Sequence, residues 1–304
     1  MKVIIACLLI VVCSGKLVDR VSITQSHIEE LKQIAEFEVY NYDEHPFKEI
    51  SPYELQLKLG LRGMNFHMSH TLPTGDLTSL PDNFDSRTQW PNCIHQIRDQ
   101  QSCGSCWAFA ASEVLSDRFC IASQGAVNVV LSPQDMVSCD KTNMGCNGGY
   151  LDRSWSYIVN TGIVSDECYP YNSGSGSTGT CQILSGSCVN KSANFQKYRA
   201  TSFKTYSSVQ DIKTDLMTNG PIETGFLVYQ DFMSYKGGIY KKTSNTLLGG
   251  HAVKVVGWGK ENNVDYWIVA NSWGTSWGEN GHFRIAIGNC CNFESSMMSG
   301  SPKL

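Results

Sequence analysis

The feature that most constrains this chain is the run Arg98-Asp-Gln-Gln-Ser-Cys-Gly-Ser-Cys-Trp-Ala-Phe-Ala110. Two cysteines flank a Gly-Ser turn. Directly after Cys106 the pattern switches to helix, with Trp107, Ala110, Ala111, Val114 and Leu115 at the spacing of one buried helical face. Cys106 is therefore expected at a helix N-terminus, where unpaired backbone N–H groups and the helix dipole stabilise a thiolate. This makes Cys106 a candidate nucleophile and Gln100, with its side-chain amide, a candidate partner. The same Cys-x-x-Cys spacing serves dithiol redox sites and half of a zinc site. A zinc site needs a second ligand pair, and Cys290-Cys291 is a poor one. A thioredoxin-like site needs a βαβ pattern around it, whereas residues 98–102 read as turns. No metal and no cofactor are expected.

The start of the chain sets its compartment. Met1-Lys2, an apolar run to Cys13 and then Ser14-Gly15 describe a secretory signal peptide over residues 1–15. The run is too short to span a membrane comfortably, and no later stretch is long and apolar enough, so no membrane anchor is expected. Of the 13 cysteines, Cys7 and Cys13 leave with the signal. The eleven that remain enter an oxidising compartment in odd number, which suggests a free and reactive thiol without saying which. A net charge of −4 with no long basic block argues against nucleic acid as a partner.

Residues 16–79 carry no cysteine and four of the seven histidines, His27, His45, His67 and His70. Residues 26–40 read as a helix with Ile28, Leu31, Ala35 and Val39 on one face. Ser51-Pro-Tyr-Glu54 fits a capping box with proline at the first helical position. A cysteine-free helical leader suits either a pro-segment or an ordinary N-terminal subdomain, and composition does not separate them. From Leu80 to about 170 the chain reads mainly helical, with further helices expected after Ser132-Pro133 and near residues 151–160. Residues 172–187 form a Gly/Ser/Thr-rich loop. Beyond about 195, apart from a helix near 209–218, residues 226–229, 252–258, 266–270 and 282–287 are β-rich runs between Gly or Asn turns. Helices first and strands later indicate an α+β fold in two packed halves.

A nucleophilic cysteine needs a base, a group to orient that base, and donors for the oxyanion. The body holds three histidines. His95 lies beside a cysteine and is expected on the surface. His282 reads as a partly packed strand residue. His251 opens a strand in Gly249-Gly-His-Ala-Val, where glycines allow another backbone to approach; it is a candidate base or a structural histidine. Asn271 begins Asn-Ser-Trp-Gly-Thr-Ser-Trp-Gly278. Its carbonyl can accept the His Nδ1–H and hold the ring in the useful tautomer, with Trp273 shielding that bond, or it is simply a turn asparagine.

Gln-x-x-Cys-Gly-x-Cys-Trp-Ala-Phe, then Gly-His-Ala and Asn-Ser-Trp-Gly, in this order, resemble the papain-like cysteine peptidases and, among them, the cathepsin B branch. Leu80-Pro-Asp-Asn-Phe-Asp-Ser-Arg87, Gly257-Trp-Gly259 and Asn280-Gly-His-Phe-Arg-Ile285 match as well. The resemblance implies an inhibitory propeptide over 16–79 and a peptidase over 80–304. Within the peptidase it implies a helical left half near 91–190 and a β-barrel-like right half near 191–304 that includes the mature N-terminus, with the cleft between them. Cys106 would attack, His251 protonate the leaving amine, Asn271 orient it, and Gln100 with the Cys106 backbone N–H bind the oxyanion. Gly148 and Gly149 would pair with the substrate backbone. Tyr150, Leu151, Gly225, Ala252 and Ser296 would line the pocket for the P2 side chain, with Gly250 and Trp273 close by. The implied disulfides are Cys93–Cys120, Cys103–Cys146, Cys139–Cys181 and Cys168–Cys188, leaving Cys290 and Cys291 as two buried thiols. Peptide or protein substrates, the chain's own propeptide and cystatin-like inhibitors are the implied partners of a monomer in a lysosome-like vesicle or outside the cell.

Three positions depart from the family pattern. The segment from Cys168 to Cys188 is short and has no histidine, so the carboxylate-binding pair of the cathepsin B occluding loop is missing and an endopeptidase is expected. Ser296 stands where that branch has an acid at the floor of the P2 pocket, with Glu294 two positions off; a neutral pocket favours apolar P2 side chains, because an unpaired buried charge is costly. Gln101 replaces a glycine, at about 1 kcal/mol if φ is positive there. Asn190-Lys-Ser192 is a glycosylation sequon.

Overall fold

Short polar side chains start most of the helices where the sequence places them. The computed structural model describes residues 22–64, 72–288 and 290–304, so the signal-peptide region, His67 and His70 lie outside the described residues. Thr24 caps α1 (Gln25–Ile34), which buries Ile28 and Leu31. The helix stops well short of residue 40. Ala35 turns to extended backbone, and β1 (Glu38–Val39) pairs instead with Tyr235–Gly237 of the body. The periodicity of 26–40 loses to tertiary contacts: Phe37 reaches the Tyr240 ring at 5.1 Å and the Tyr235 ring at 5.8 Å. In α2 (Pro52–Leu57) the capping box forms in full, Ser51 and Glu54 each satisfying the other's backbone N–H.

The body opens with β2 (Phe84–Asp85) and α3 (Ser86–Gln89), followed by α4 (Cys106–Ala122), α5 (Pro133–Cys139) and α6 (Leu151–Asn160). The spacing predicts one buried face on α4, yet nearly every residue of it is buried, because it lies between the helical half and the strands. Its charged residues are paired: Lys254 Nζ stands 2.8 Å from Asp117 and 3.5 Å from Glu113, and Arg118 bonds Asp215. These pairs join the two halves, and removing one partner alone would leave an uncompensated buried charge at about 3–5 kcal/mol. All four implied disulfides are present, joining Cys93–Cys120, Cys103–Cys146, Cys139–Cys181 and Cys168–Cys188.

The second half contains β3 (Ala200–Thr205), α7 (Val209–Asn219), β4 (Ile222–Tyr229), β5 (Tyr235–Gly237), β6 (Ile239–Tyr240), β7 (Leu247–Glu261), β8 (Val264–Ala270), β9 (His282–Ala286) and β10 (Met298–Pro302). Its main sheet runs β3-β10-β4-β7-β8-β9-β6, with β2 paired to β7. The fold is α+β and papain-like, but the strands make an open sheet and not a closed barrel: β3 and β6 stand at opposite ends of the order. The register puts His251 opposite Phe226 and Ala252 opposite Gly225, and Asn271 follows directly after β8.

Candidate active site

The left wall is set by local chemistry. Cys106 is the first residue of α4, and the neighbouring Cys103 is locked to Cys146. That bridge holds the Gly145–Asn147 turn against α4, where Trp107 Nε1 donates to the Gly145 carbonyl at 3.2 Å. A Cβ on Gly149 would lie 2.5 Å from the Trp107 ring, so only glycine lets this backbone approach. Gln101, in place of the family glycine, adopts φ +55°, so the condition for its conformational cost is met.

Gln100 is fully buried and bridges the walls. Its Oε1 accepts from Ser272 Oγ at 2.7 Å, and its Nε2 donates to the Cys103 carbonyl at 2.8 Å and to the Lys58 carbonyl at 3.2 Å. The amide is thus aimed at a carbonyl oxygen supplied by the leader.

The right wall supplies a histidine–asparagine pair, His251 and Asn271 with 2.7 Å between Nε2 and Oδ1. The ring nitrogen differs from the one expected from the sequence. The Ser272 backbone N–H donates to the same Asn271 atom at 2.8 Å, which identifies that atom as the oxygen. Nε2 must then carry the proton, and Nδ1 keeps the lone pair. The far nitrogen is the one that spans from β7 to the end of β8. Nδ1 is buried without a hydrogen bond of good geometry among the described residues. The Trp273 ring lies 4.7 Å from the imidazole and covers it, as expected. The backbone N–H of Ala252, the residue after His251, points at the Cys106 sulfur, so β7 and the start of α4 meet.

Residues 58–64 of the leader occupy the cleft between these walls. The sequence offers little sign of this beyond Gly60, whose Cβ would fall 1.9 Å from the Gly104 carbonyl oxygen. Gly149 N–H donates to the Gly60 carbonyl (2.9 Å), Arg62 N–H to Gly149 (2.8 Å) and Leu61 N–H to Gly250 (3.0 Å). The backbone pairing expected of Gly148 and Gly149 therefore falls on Gly149 and Gly250. Gly148 uses its own N–H and carbonyl within its turn. Leu61 lies against Gly225 and Leu151, and Met64 touches Ser296 Oγ through sulfur at 3.5 Å. Tyr150, Leu151, Ser296 and Met298 line a cavity of about 480 Å³ around these two leader side chains. Ala252 is buried opposite Gly225 and does not line this cavity. Glu294 turns away and accepts from Trp267 Nε1 at 2.9 Å.

With the leader seated, burial pushes the Cys106 thiol up to about 11 and holds His251 down to about 4. The two rest as neutral thiol and imidazole. The other body histidines have other partners. His95 is half-buried at the surface, with Nδ1 2.7 Å from Asp117 and Nε2 2.9 Å from Asn128. His282 is part-packed as expected, and burial lowers it to about 4. Cys291 is buried, but Cys290 is partly exposed, so the expected pair of buried thiols is only half buried. Asn190 Oδ1 accepts from Ser192 Oγ at 2.7 Å within the sequon. Among the described residues no helix is long and apolar enough to cross a membrane.

The family model for papain family cysteine proteases matches residues 80–301. The chain is 38% identical to Cathepsin B-like cysteine proteinase 4 of Caenorhabditis elegans over the full length of both, and 40% identical to Cathepsin B-like cysteine proteinase 3 of that organism, covering 95% of this chain and 82% of that protein. Among solved structures, proCathepsin B S9 from Trypanosoma congolense superposes with a TM-score of 0.81 at 34% identity, covering 93% of this chain and 99% of that one. The proform of the ragweed pollen protease Amb a 11 shares the fold, with a TM-score of 0.71 at 24% identity, covering 92% of this chain and 85% of that one. The cysteine at the head of α4, the histidine–asparagine pair facing it and these matches lead to one conclusion: the chain belongs to the papain family of cysteine proteases, among its cathepsin B-like members.

Proposed function

We propose that this chain is the zymogen of a cysteine endopeptidase that prefers apolar P2 side chains. The observation that carries the reading is the leader in the cleft, with its Lys58 carbonyl on the Gln100 amide and Leu61 in the apolar pocket. A peptide is thus already held where a substrate would lie. Once the leader is cut away near Leu80, water enters, the burial penalty on both groups falls, and a proton can pass from Cys106 to His251 Nδ1. The thiolate attacks the scissile carbonyl. Gln100 Nε2 and the Cys106 backbone N–H stabilise the oxyanion. His251 then protonates the leaving amine, and water, deprotonated by the same nitrogen, releases the acyl group from sulfur. Asn271 holds the ring so that Nδ1, and not Nε2, faces the sulfur.

Endopeptidase action is supported by the loop after Cys168. Its backbone is folded down, with Asn172 and Ser173 N–H both donating to Gln134 Oε1 and Ser102 N–H donating to the Gly174 carbonyl. It carries no histidine to grip a C-terminal carboxylate. The test is to process the purified zymogen at acidic pH and map its products on long peptides, with Cys106→Ala as the control. Internal cuts one residue beyond an apolar side chain, which places that side chain at P2, are expected. C-terminal dipeptides as the main product would refute the open-cleft reading, and no cleavage by a correctly processed enzyme would refute the peptidase reading. Asn271→Ala should lower kcat by about a hundredfold or more while leaving KM nearly unchanged.

A further inference from the structure

Outside the cleft, the turn Cys290–Ser296 holds two adjacent thiols that the proteolytic reading does not use. Cys290 and Cys291 take no part in the four disulfides, and their sulfurs stand 3.0 Å apart. In extended backbone, neighbouring side chains point to opposite faces. Here Cys291 and Asn292 adopt φ +62° and +59°, and this left-handed turn brings both sulfurs to one side. Such a conformation is costly for two consecutive non-glycine residues and calls for a reason. Cys290 is partly exposed and Cys291 is buried beneath it. The contact between the two sulfurs, with the Lys242 backbone N–H, holds the Cys290 thiol below its ordinary value, whereas that same contact and burial raise Cys291. Asp231, Glu294 and the Lys242 side chain are the charged groups near the pair.

We propose that Cys290 and Cys291 form a dithiol site that reacts with low-molecular-weight disulfides and closes to a vicinal disulfide. The Cys290 thiolate attacks one sulfur of the incoming disulfide, forming a mixed disulfide and expelling one thiolate. Cys291 gives its proton to that departing thiolate and attacks the Cys290 sulfur, expelling the second. The second thiolate takes up the proton that Cys290 released, so the protein loses two protons and two electrons and the small disulfide becomes two thiols. The same turn ends at Ser296, and its Phe293 carbonyl accepts from Thr224 Oγ1 on β4 at 2.6 Å. Closing the ring therefore acts on the floor of the P2 pocket. The thiol chemistry stands apart from the proteolytic reading; only the link to the pocket rests on it.

The test uses the full-length Cys106→Ala zymogen, equilibrated in glutathione buffers of rising oxidised fraction, then alkylated and mapped by peptide mass. Alkylation of the Cys290-Cys291 peptide should fall from two groups to none, with a mass loss of two hydrogens. Cys291→Ser should stop at one glutathione on Cys290, and Cys290→Ser should stay unmodified. Two alkylatable thiols throughout, or a wild-type peptide that stops at the mixed disulfide, would overturn the site. Amide hydrogen exchange over residues 293–298 should change on closure; unchanged exchange in a closed protein would overturn the link to the pocket. Neither readout depends on cleavage of a substrate, so a failure here is distinct from a failure of the peptidase reading.

Discussion

The two halves of the cleft are held by different physics. All four disulfides lie between Cys93 and Cys188, in the helical half. The strand half carries none among the described residues. It is built on the sheet and on a cluster of rings: Phe232 lies 4.9 Å from Phe283, 5.1 Å from Trp277 and 5.8 Å from Trp273. Around the long α4, the first half is made of shorter helices and irregular loops, whose backbones form few cooperative ladders. Cross-links there lower the entropy of the unfolded chain. The second half is held without them, because the inner strands of its sheet are paired on both sides and aromatic burial supplies the driving force. Cys106 depends on the stapled wall, and His251 with Asn271 on the aromatic one.

The sharpest way to break this contrast is Phe232→Ala. It should cost about 3–5 kcal/mol by opening a cavity in the ring cluster, seen as a lower denaturation midpoint. Hydrogen exchange should quicken first in β7 and β8, not in α5 and α6. Replacing Cys103 and Cys146 together by serine should cost about 2–4 kcal/mol and loosen the Gly145–Asn147 turn, with the strand half keeping its protection. Equal loss of protection in both halves for either variant would erase the distinction.

The leader bears mainly on the strand half, and its grip should depend on pH. His45 is buried, its Nδ1 accepts from the Phe47 N–H at 3.0 Å, its Nε2 meets Ser234 Oγ at 3.3 Å, and burial lowers it to about 4. A released leader has an ordinary histidine near 6.5, so between about pH 6.5 and 4 it binds a proton that the seated form refuses. Seating should therefore weaken as the pH falls through that window. Inhibition of the mature enzyme by the separate leader should drop about tenfold or more from pH 7 to pH 4.5, and His45→Gln should flatten the drop. The smallest expected effect is Gln101→Gly. Relief of φ +55° should be nearly balanced by the added freedom of the unfolded chain, for a net change of about 1 kcal/mol or less in the midpoint.

Much of the site was legible in the sequence because its signals are local. The switch to helix after Cys106, the Ser51–Glu54 capping box and the helix at Leu151–Asn160 each follow from residues a few positions apart. At Gln101 the sequence showed only a departure from glycine, and the structure supplied the positive φ of +55°. Where contacts from distant residues compete, the pattern misled. The expected helix over 26–40 ends at Ile34 because Phe37 and Tyr40 gain more from the aromatic half than from another helical turn. Helical spacing foretold one buried face of α4, and the second is buried only because a sheet lies against it.

The sequence by itself determined which groups could do the chemistry: a candidate nucleophilic cysteine at a helix start, a histidine beside glycines, an asparagine after a strand, and a free thiol implied by an odd count. Only the tertiary structure decided how they are used. The orienting bond is made by His251 Nε2 because its partner sits at the end of the neighbouring strand, a distance that no sequence spacing encodes. The leader fills the cleft because Gly60 and Gly149 let two backbones pass within hydrogen-bonding reach. Cys290 and Cys291 share one side because of a left-handed turn, which depends on how the chain packs against β4 and not on the identity of either residue.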